Sequence, residues 1–442
     1  MKKTIITVIG LAFTISVNAQ TIKPYEKTAF EEIQANKFLA GGNLTDYDRI
    51  PRQAVLTPTP KGYEPYYLSH YGRHGARFLL GERDYSGPVM TLSAAKKNGK
   101  LTPEGEQVLE RLQVLQRQSR GRLGDLTPVG EREHHGIGKR MAQNFPELFK
   151  TPYLPIDARS TTVIRSIISM VAECEEIAAA NPTAQFHNDV SQSLQYYLNQ
   201  PRSQFLDSVR KSTRSIRHEL ENKLLKESHP ERLMGVLFND AQWAADSVKA
   251  ANFVASLFDI AANMQSHDLG LDLYSYFTDE EIYAQWRVRN MGWYIDYGAS
   301  PLGGGVQPFC QANLLKDIIQ VADTTKQTCA VLRFGHEVCV MPLACLLELD
   351  NCGYVTDDLE NLDQVWRNYK IYPMACNIQL VFYRPVSGKG DILVKALLNE
   401  REATLPVKTR QFPYYKWKDL RQYYLKRLEW FEGKEKESAL LK

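Results

Sequence analysis

Residues 69–77, Ser-His-Tyr-Gly-Arg-His-Gly-Ala-Arg, constrain the fold of this chain more than any other segment. Residues 63–68 before them are rich in β-forming side chains and predict a strand that enters a sheet. Gly72 and Gly75 permit backbone angles that other residues resist, so the strand is predicted to end in a tight turn. The sequence therefore places two arginines and a histidine on a turn at the end of a strand.

The side chains of this turn suit a bound phosphate. The guanidinium groups of Arg73 and Arg77 match phosphate oxygens in bidentate fashion, and the turn can direct backbone N–H groups at the same anion. His74 stands between them with a reference pKa of about 6.5, so its neutral form can attack phosphorus without a separate base. A surface turn with incidental charge is the alternative interpretation.

Residues 157–169 supply a third candidate phosphate ligand, Arg165. From Thr162 onward the pattern predicts the start of a helix, which places Arg165 in its first turn. The helix macrodipole and the free N–H groups of that turn favour an anion. A solvated arginine on an amphipathic helix is the alternative.

A histidine and a carboxyl group follow the apolar, strand-like run of residues 329–335. In open α/β sheets, ligands collect at the carboxyl ends of the strands. At such an edge, His336 can donate to a phosphate oxygen while Glu337 protonates the departing alkoxide. A plain loop before the helical residues 338–349 is the alternative.

These separated motifs resemble, in the same order, those of the histidine acid phosphatases. This family is the secreted branch of the histidine phosphatase superfamily and includes phytases and multiple inositol polyphosphate phosphatases. Its R-H-G-x-R core matches Arg73, His74 and Arg77, and its distal His-acid pair matches His336 and Glu337. The family's R-S-T-x-x-x-R-x-x-x-S segment, its L-T-x-x-G helix start and a strand near its C-terminus match residues 159–169, 126–130 and 375–380.

Two departures from the family pattern bear on the substrate. Phytases usually carry a proline soon after the second arginine, whereas residues 78–81 here are Phe-Leu-Leu-Gly. Phytases typically end the distal motif in His-Asp and the inositol polyphosphate phosphatases in His-Ala-Glu, whereas this chain has His336-Glu337-Val338. These differences leave the exact placement of the proton donor, and with it the positional specificity, open.

The resemblance implies a mechanism in two steps. His74 displaces the alcohol to give a phosphohistidine, and Glu337 gives a proton to the leaving group. Water then attacks the phosphohistidine. The oxygens of the transferred phosphoryl group are stabilised by Arg73, Arg77, Arg165 and His336. Three guanidinium groups can supply the charge stabilisation that Mg²⁺ provides in other phosphoryl-transfer sites, so no cofactor is expected.

A zinc site is disfavoured by the spacing of its potential ligands. The chain has no C-x-x-C pair and no H-E-x-x-H, and its H-x-x-x-H, His70 to His74, straddles a glycine turn. His70 is interpreted as structural. His134 and His135 fall in a predicted helix over residues 128–144 and are interpreted as part of a packed or solvated face.

The first residues predict a secretory signal peptide. Lys2 and Lys3 precede an apolar core over residues 5–17, and Val-Asn-Ala stands before Gln20. Cleavage is expected after Ala19, which predicts a periplasmic or exported protein. No other run reaches the roughly 18 apolar residues that a membrane span needs.

The charge and the cysteine content indicate neither a nucleic-acid-binding protein nor a fold that depends on disulfides. The net charge of +3 is too small to indicate nucleic acid as a partner. The seven cysteines are odd in number, and a chain of 442 residues does not need disulfides to form a core. The remaining basic residues considered as ligands are interpreted as solvated: Lys23, Arg49, Arg52, Arg210, Lys211, Arg214 and Arg217.

The pattern of elements predicts an α/β fold, with a mainly parallel sheet flanked by helices and an inserted helical cap. Residues 20–175 are predicted as the first part of the core and residues 309–442 as its second part, with a C-terminal helix. Apolar residues repeat at three and four spacing in residues 230–237 and 248–264, which predicts a helical cap over 176–308. The active site is expected in the cleft between core and cap.

Three functions follow in order of preference. The first is hydrolysis of inositol polyphosphates, the second is hydrolysis of sugar phosphates or phosphate monoesters in general, and the third is binding of a phospho-ligand without catalysis. The expected partner is a small phosphate monoester. The oligomeric state stays open.

Overall fold

The structure is a computed structural model that describes residues 24–201 and 203–440. The predicted signal peptide, with its cleavage after Ala19, and Lys23 lie outside the described residues. The strands are β1 Tyr63–Arg73, β2 Pro155–Ser160, β3 Gln185–Asp189, β4 Cys329–Gly335, β5 Asn377–Pro385, β6 Leu393–Leu398, β7 Arg401–Ala403 and β8 Tyr415–Lys416. The α-helices are α1 Ala29–Ala35, α2 Glu82–Lys97, α3 Pro103–Ser119, α4 Pro128–Asn144, α5 Pro146–Phe149, α6 Ile164–Ala180, α7 Gln195–Leu198, α8 Gln204–Lys226, α9 Pro230–Leu237, α10 Ala241–Ser247, α11 Ala250–Asn263, α12 Asp279–Tyr297, α13 Ala312–Thr324, α14 Glu337–Leu347, α15 Asn368–Ile371 and α16 Trp417–Leu440.

The strands form one sheet in the order β3-β2-β4-β1-β5-β6-β7, with β8 paired to β6. The ladders that join β3, β2, β4 and β1 are parallel, and those from β1 onward to β5, β6, β7 and β8 are antiparallel. Five of the eight strands, β1 to β4 and β6, therefore run in the same direction. The predicted α/β fold with a mainly parallel sheet is confirmed.

The central strands are buried because both faces of the sheet are covered. Leu68 on β1 and Leu332 on β4 belong to one buried apolar cluster, whereas their neighbours Tyr67 and Val331 belong to the other. Successive side chains of a strand point to opposite faces, so each strand contributes to both layers. This explains why the sequence shows apolar runs here and not a strict alternation with polar residues.

Helices α4 and α6 pack together beside the strands that carry the site. The α4 helix begins where the sequence predicts it, because Thr127 accepts the N–H of Gly130 at 3.3 Å and Pro128 occupies the first turn. A Cβ atom added at Gly138 of α4 would lie 2.6 Å from the carbonyl oxygen of Glu173 on α6. The glycine thus permits a close approach of the two helices.

Residues 195–297 are mostly helical and contain α7 to α12, in agreement with a helical subdomain. The predicted boundaries of the cap, at residues 176 and 308, stay predictions. The charged C-terminal helix is confirmed as α16, and all seven cysteines are free thiols. Among the described residues, no helix is long and apolar enough to span a membrane.

Candidate active site

Three segments meet at the carboxyl ends of β1 and β4. The register pairs Arg73 with Gly335, and the N–H of His74 donates to the carbonyl of Gly335 at 3.0 Å. The N–H of Arg73 donates to the carbonyl of Cys376 at 2.8 Å, which joins the turn to the start of β5. The structure brings together all the residues that the sequence singles out for the site: Arg73, His74, Arg77, Arg165, His336 and Glu337.

His74 is fully buried and its tautomer follows from its hydrogen bond. Nδ1 lies 2.9 Å from the carbonyl oxygen of Gly75, and since a carbonyl only accepts, Nδ1 carries the proton. Nε2 therefore presents a lone pair, and it has no hydrogen-bond partner in the described part of the chain. Burial, and the positive charge of Arg73, lower the pKa of His74 well below its usual value. His74 is a neutral imidazole with a free nucleophilic nitrogen.

The three arginines are held by neutral carbonyl groups. Arg73 is completely buried, and its Nη1 donates to the carbonyls of Pro373, at 3.0 Å, and Asn43. Nη1 of Arg77 donates to the Phe78 carbonyl at 2.9 Å, and Nη1 of Arg165 donates to the Gly124 carbonyl at 3.2 Å. Burial lowers the pKa of Arg77 to about 10, which leaves it protonated at neutral pH.

These arginines keep donor capacity that the protein does not use. Within residues 24–201 and 203–440, no hydrogen-bond partner is present for Nη2 of Arg73 or for Nε of Arg77 and Arg165. Buried donors without partners cost about 1–3 kcal/mol each, so such a cluster needs a functional reason. A tetrahedral oxyanion would satisfy these donors.

Glu337 is the carboxylate that faces the three arginines. Its Oε2 lies 3.1 Å from Nε of Arg73 and 3.5 Å from Nε2 of His74, and its Oε1 lies 3.9 Å from Nη2 of Arg77. Burial alone would raise the pKa of Glu337, but the positive charges of Arg73 and Arg77 hold it well below its usual range. The carboxylate is therefore ionised and is the counterion of the guanidinium groups.

His336 lies directly before helix α14 and faces His74 with ring centroids 5.5 Å apart. Its Nε2 lies 3.2 Å from Oγ1 of Thr161, which fixes the ring. Burial lowers the pKa of His336 to about 4, so the ring is neutral and can act as a hydrogen-bond donor through one nitrogen.

The prediction that Gly72 and Gly75 supply backbone angles that other residues resist is wrong. Neither Gly72 nor Gly75 has a left-handed backbone conformation. A Cβ at Gly75 would lie 2.3 Å from the carbonyl oxygen of Gly130, and one at Gly72 would lie 2.6 Å from Cε1 of His70. The glycines are needed because their neighbours leave no space for a side chain. Gly75 packs on the first turn of α4, and Gly72 packs on the ring of His70.

The expectation that the turn directs backbone N–H groups at the anion is also not met by residues 73–76. The N–H of Gly75 donates to Oγ of Ser169 at 3.1 Å, and the N–H of Ala76 donates to Oε2 of Glu133 at 2.7 Å. The N–H groups of Arg73 and His74 bind carbonyls. The oxyanion donors of this site are side chains, because the backbone of the turn is used to fix its position.

Several residues that shape the site were not predicted as site residues from the sequence. Thr161 and Ser169 stand inside the R-S-T motif, so the resemblance contained a signal for them. The hydroxyl of Thr127 donates to the Ala76 carbonyl at 3.1 Å, whereas the sequence predicted Thr127 only as a helix cap. Glu133 had no signal, because nothing in the sequence shows that its carboxylate reaches the turn.

The other polar residues considered in the sequence lie away from the site atoms. Arg159 pairs with Asp157, and His134 donates through Nδ1 to Oε1 of Glu173 at 2.7 Å inside the core. His135 lies 3.0 Å from Glu176 on the outer side of α4.

The basic residues that were interpreted from the sequence as solvated differ in their surroundings. Four of them are exposed: Arg49, Arg52, Lys211 and Arg214. Arg210 lies over the Tyr297 ring, and Arg217 pairs with Glu221.

One cluster in the described part of the chain offers three potential metal ligands. Single atoms of His74, His336 and Glu337 lie within 4.8 Å of one another. The guanidinium groups of Arg73 and Arg77 contact the same carboxylate, and their positive charge opposes a bound cation. The charge at this position favours an anion over a metal ion.

Fold and site together define a protein for phosphoryl transfer, with a histidine as the candidate nucleophile and arginines around the phosphate position. The model of the histidine phosphatase superfamily (branch 2) matches residues 72–399, and the chain belongs to this superfamily. It is a phosphatase of the histidine acid phosphatase type. No curated protein matches the chain in sequence.

Solved structures share this fold. The Bifidobacterium longum multiple inositol polyphosphate phosphatase in complex with phosphate is 18% identical, with a TM-score of 0.70, over 86% of this chain and 97% of that chain. Its complex with inositol hexasulfate gives 16% identity and a TM-score of 0.67, over 87% and 97%. The phytase from D. castellii is 14% identical, with a TM-score of 0.66, over 89% of this chain and 86% of that chain.

Proposed function

We propose that this protein is an exported phosphatase that removes phosphate from inositol polyphosphates such as phytate through a phosphohistidine on His74. The observation that carries the chemistry is the free, unprotonated Nε2 of a buried imidazole among three guanidinium groups. The carboxylate of Glu337 lies beside that nitrogen, where a leaving oxygen would depart. Nucleophile, charge stabilisation and proton donor thus occupy one small space.

In the first step, the lone pair of His74 Nε2 forms a bond to phosphorus as the bond from phosphorus to the ester oxygen breaks. Glu337 must carry a proton at that moment in order to give it to the leaving alkoxide. A phosphate dianion among the arginines places negative charge next to Glu337 and raises its pKa, so the substrate promotes protonation of its own acid. Arg73, Arg77 and Arg165 neutralise the charge of the transferred phosphoryl group.

In the second step, water attacks the phosphohistidine. The carboxylate of Glu337, which has lost its proton to the alcohol, accepts a proton from this water. The bond between phosphorus and Nε2 breaks, the electron pair returns to His74, and inorganic phosphate leaves. The cycle restores the neutral imidazole and needs no oxidant, reductant or metal ion.

The substrate class is supported by the motifs and by the fold of relatives. The Bifidobacterium longum enzyme is a multiple inositol polyphosphate phosphatase and was crystallised with inositol hexasulfate. Export is supported by the basic, apolar and small-residue pattern of residues 1–19. The site itself recognises the phosphoryl group, whereas the alcohol is selected by the surrounding helical elements.

Phosphate release from phytate, glucose 1-phosphate and p-nitrophenyl phosphate tests this function. The protein without residues 1–19 is assayed from pH 4 to pH 7 in EDTA, with His74→Ala as the control. We expect strong phytate turnover that the variant loses. Turnover confined to the two small esters would show a phosphatase of sugar phosphates or broad specificity, and no turnover of any ester would contradict hydrolysis.

A further inference from the structure

Glu133 has the contacts of a residue that holds residues 73–77 in place, and we call these residues the catalytic turn. Its side chain is 1% exposed, and it points from the second turn of α4 toward the Arg73–Arg77 turn. Oε2 accepts the N–H of Ala76 at 2.7 Å. Ala76 lies two residues after the candidate nucleophile His74 and directly before Arg77, so this bond holds the backbone between two side chains of the candidate site.

The same carboxyl group also fixes a segment that supports Arg73. Oε1 of Glu133 accepts the N–H of Tyr47 at 2.8 Å. We call residues 41–49 the N-terminal strap. The carbonyl of Asn43 in this strap accepts Nη1 of Arg73, and the carbonyl of Thr45 accepts the N–H of Met374 at 2.8 Å. One carboxyl group therefore links the turn to the strap.

The surroundings of Ala76 leave little freedom once this bond is formed. The carbonyl of Ala76 accepts both the N–H of Thr127, at 2.9 Å, and its hydroxyl, at 3.1 Å. Gly130 is so close that an added Cβ would lie 2.3 Å from the same carbonyl oxygen. The peptide groups on both sides of Ala76 are thus held by α4 and its cap, and the carboxyl group of Glu133 is the side chain that accepts the Ala76 N–H.

We propose that Glu133 is a positioning residue of the phosphatase reaction, which aligns His74 and Arg77 through the Ala76 N–H and ties the N-terminal strap to the catalytic turn. The inference rests on the proposed function of the site and adds a residue that contacts neither substrate nor product. Because well-aligned reacting atoms account for large rate factors, a displacement of the turn by a fraction of an ångström reduces the rate of the chemical step.

The substitution Glu133→Gln tests this proposal with p-nitrophenyl phosphate as substrate. Glutamine has nearly the same volume but only one acceptor oxygen, so either Ala76 or Tyr47 then faces an NH₂ group. We expect kcat to fall about 10- to 100-fold. The inhibition constant of inorganic phosphate is expected to change less than about threefold, because the arginines keep their own carbonyl partners.

Glu402→Gln is the matched control, because Glu402 is also a buried carboxylate that accepts a backbone N–H, from Thr57 at 2.7 Å, but it lies on β7. We expect it to lower the melting temperature and to leave kcat within about twofold. A kcat of folded Glu133→Gln within twofold of the wild type, or an equal loss of kcat in both variants, would overturn the positioning role.

Hydrogen exchange on the unsubstituted protein keeps the test valid if Glu133→Gln does not fold. The proposal requires slow exchange of the Ala76 amide, comparable with the amides of α4, and rapid exchange there would refute it. An unsubstituted protein that does not release p-nitrophenol would refute the phosphatase function itself, which is a different result from an active protein that tolerates Glu133→Gln.

Discussion

Glu337 Oε2 lies 3.5 Å from Nε2 of His74 and 3.1 Å from Nε of Arg73, so the candidate acid occupies the space between nucleophile and phosphate ligand. This carboxylate and a phosphate dianion compete for the same guanidinium groups. In the mechanism proposed above, the substrate displaces Glu337 from the arginines and supplies the charge that raises its pKa, so a group with a lowered pKa can still donate a proton.

His74→Ala should abolish turnover. We expect the rate of p-nitrophenyl phosphate hydrolysis to fall at least about a thousandfold, because the substitution removes the nitrogen that attacks phosphorus. Circular dichroism and melting temperature should change little. The control is His135→Ala, on the outer side of α4, which should keep full activity. Retention of a phosphorylated protein band in His74→Ala quenched with alkaline detergent, which preserves the P–N bond, would contradict the assignment.

Glu337→Gln should distinguish substrates by their leaving groups. An alkoxide needs a proton as it departs, whereas p-nitrophenolate is stable without one. We therefore expect the loss in kcat for phytate or glucose 1-phosphate to exceed the loss for p-nitrophenyl phosphate by about 100-fold. Steady-state assays at pH 5 measure both. Equal losses on these esters would show that Glu337 is not the acid.

Binding of sulfate, a dianion that does not titrate, should take up protons at the site. Glu337 is ionised without an anion because the positive charges of Arg73 and Arg77 hold its pKa well below the usual range, and a bound dianion raises that pKa. Affinity for sulfate should therefore fall as the pH rises. Calorimetry at pH 5 in buffers of different ionisation enthalpy measures the uptake, which should be smaller in Glu337→Gln by up to one proton per site. Identical uptake in both proteins would contradict this linkage.

Gly75→Ala should destabilise the protein and inactivate it. The new Cβ would lie 2.3 Å from the Gly130 carbonyl oxygen, so α4 or the turn must move. Such overpacking costs about 1–3 kcal/mol, which urea unfolding measures. Gly87→Ala on α2 is the control, since nothing lies within 4 Å of its Cβ position, and a gain of about 0.5–1 kcal/mol is expected. Similar effects of both substitutions would argue against the close contact.

Glu133 should make the protein less stable as the pH rises from about 4.5 to about 8. Burial raises the pKa of Glu133 to about 8, and the neighbouring Asp46 adds to the rise. In this range the folded state keeps a proton that the unfolded state loses, so the stabilisation present at low pH is lost on the way to pH 8. We expect the decline in melting temperature from pH 5 to pH 8 to be smaller in Glu133→Gln. An unchanged decline would show that Glu133 ionises normally.

His70, His267 and His336 act in the opposite direction, because burial lowers the pKa of each to about 4. Between about pH 4 and about pH 6.5, these histidines bind protons in the unfolded chain but not in the folded protein. The free energy of unfolding that they contribute therefore increases as the pH rises through this range. The difference between the wild type and Glu133→Gln therefore isolates the glutamate from the histidines.

The sequence determined the chemistry of the site and the class of fold. Arg73, His74 and Arg77 lie within five consecutive residues, so one turn is enough to bring them together. Arg165, His336 and Glu337 each follow a short local signal at a helix start or a strand end. Parallel strands place their carboxyl ends at one edge, and for this reason local signals far apart in sequence predicted a common site.

Only the tertiary structure decided what holds the turn. The expected backbone N–H donors are occupied by Ser169 and Glu133, and the glycines serve close packing on Gly130 instead of unusual backbone angles. These contacts join residues nearly 60 or more positions apart in sequence, at distances that no local pattern encodes. Residue type sets which chemistry is possible, whereas the packing of α4, α6 and the strap around the end of β1 and the turn that follows it sets where each group stands.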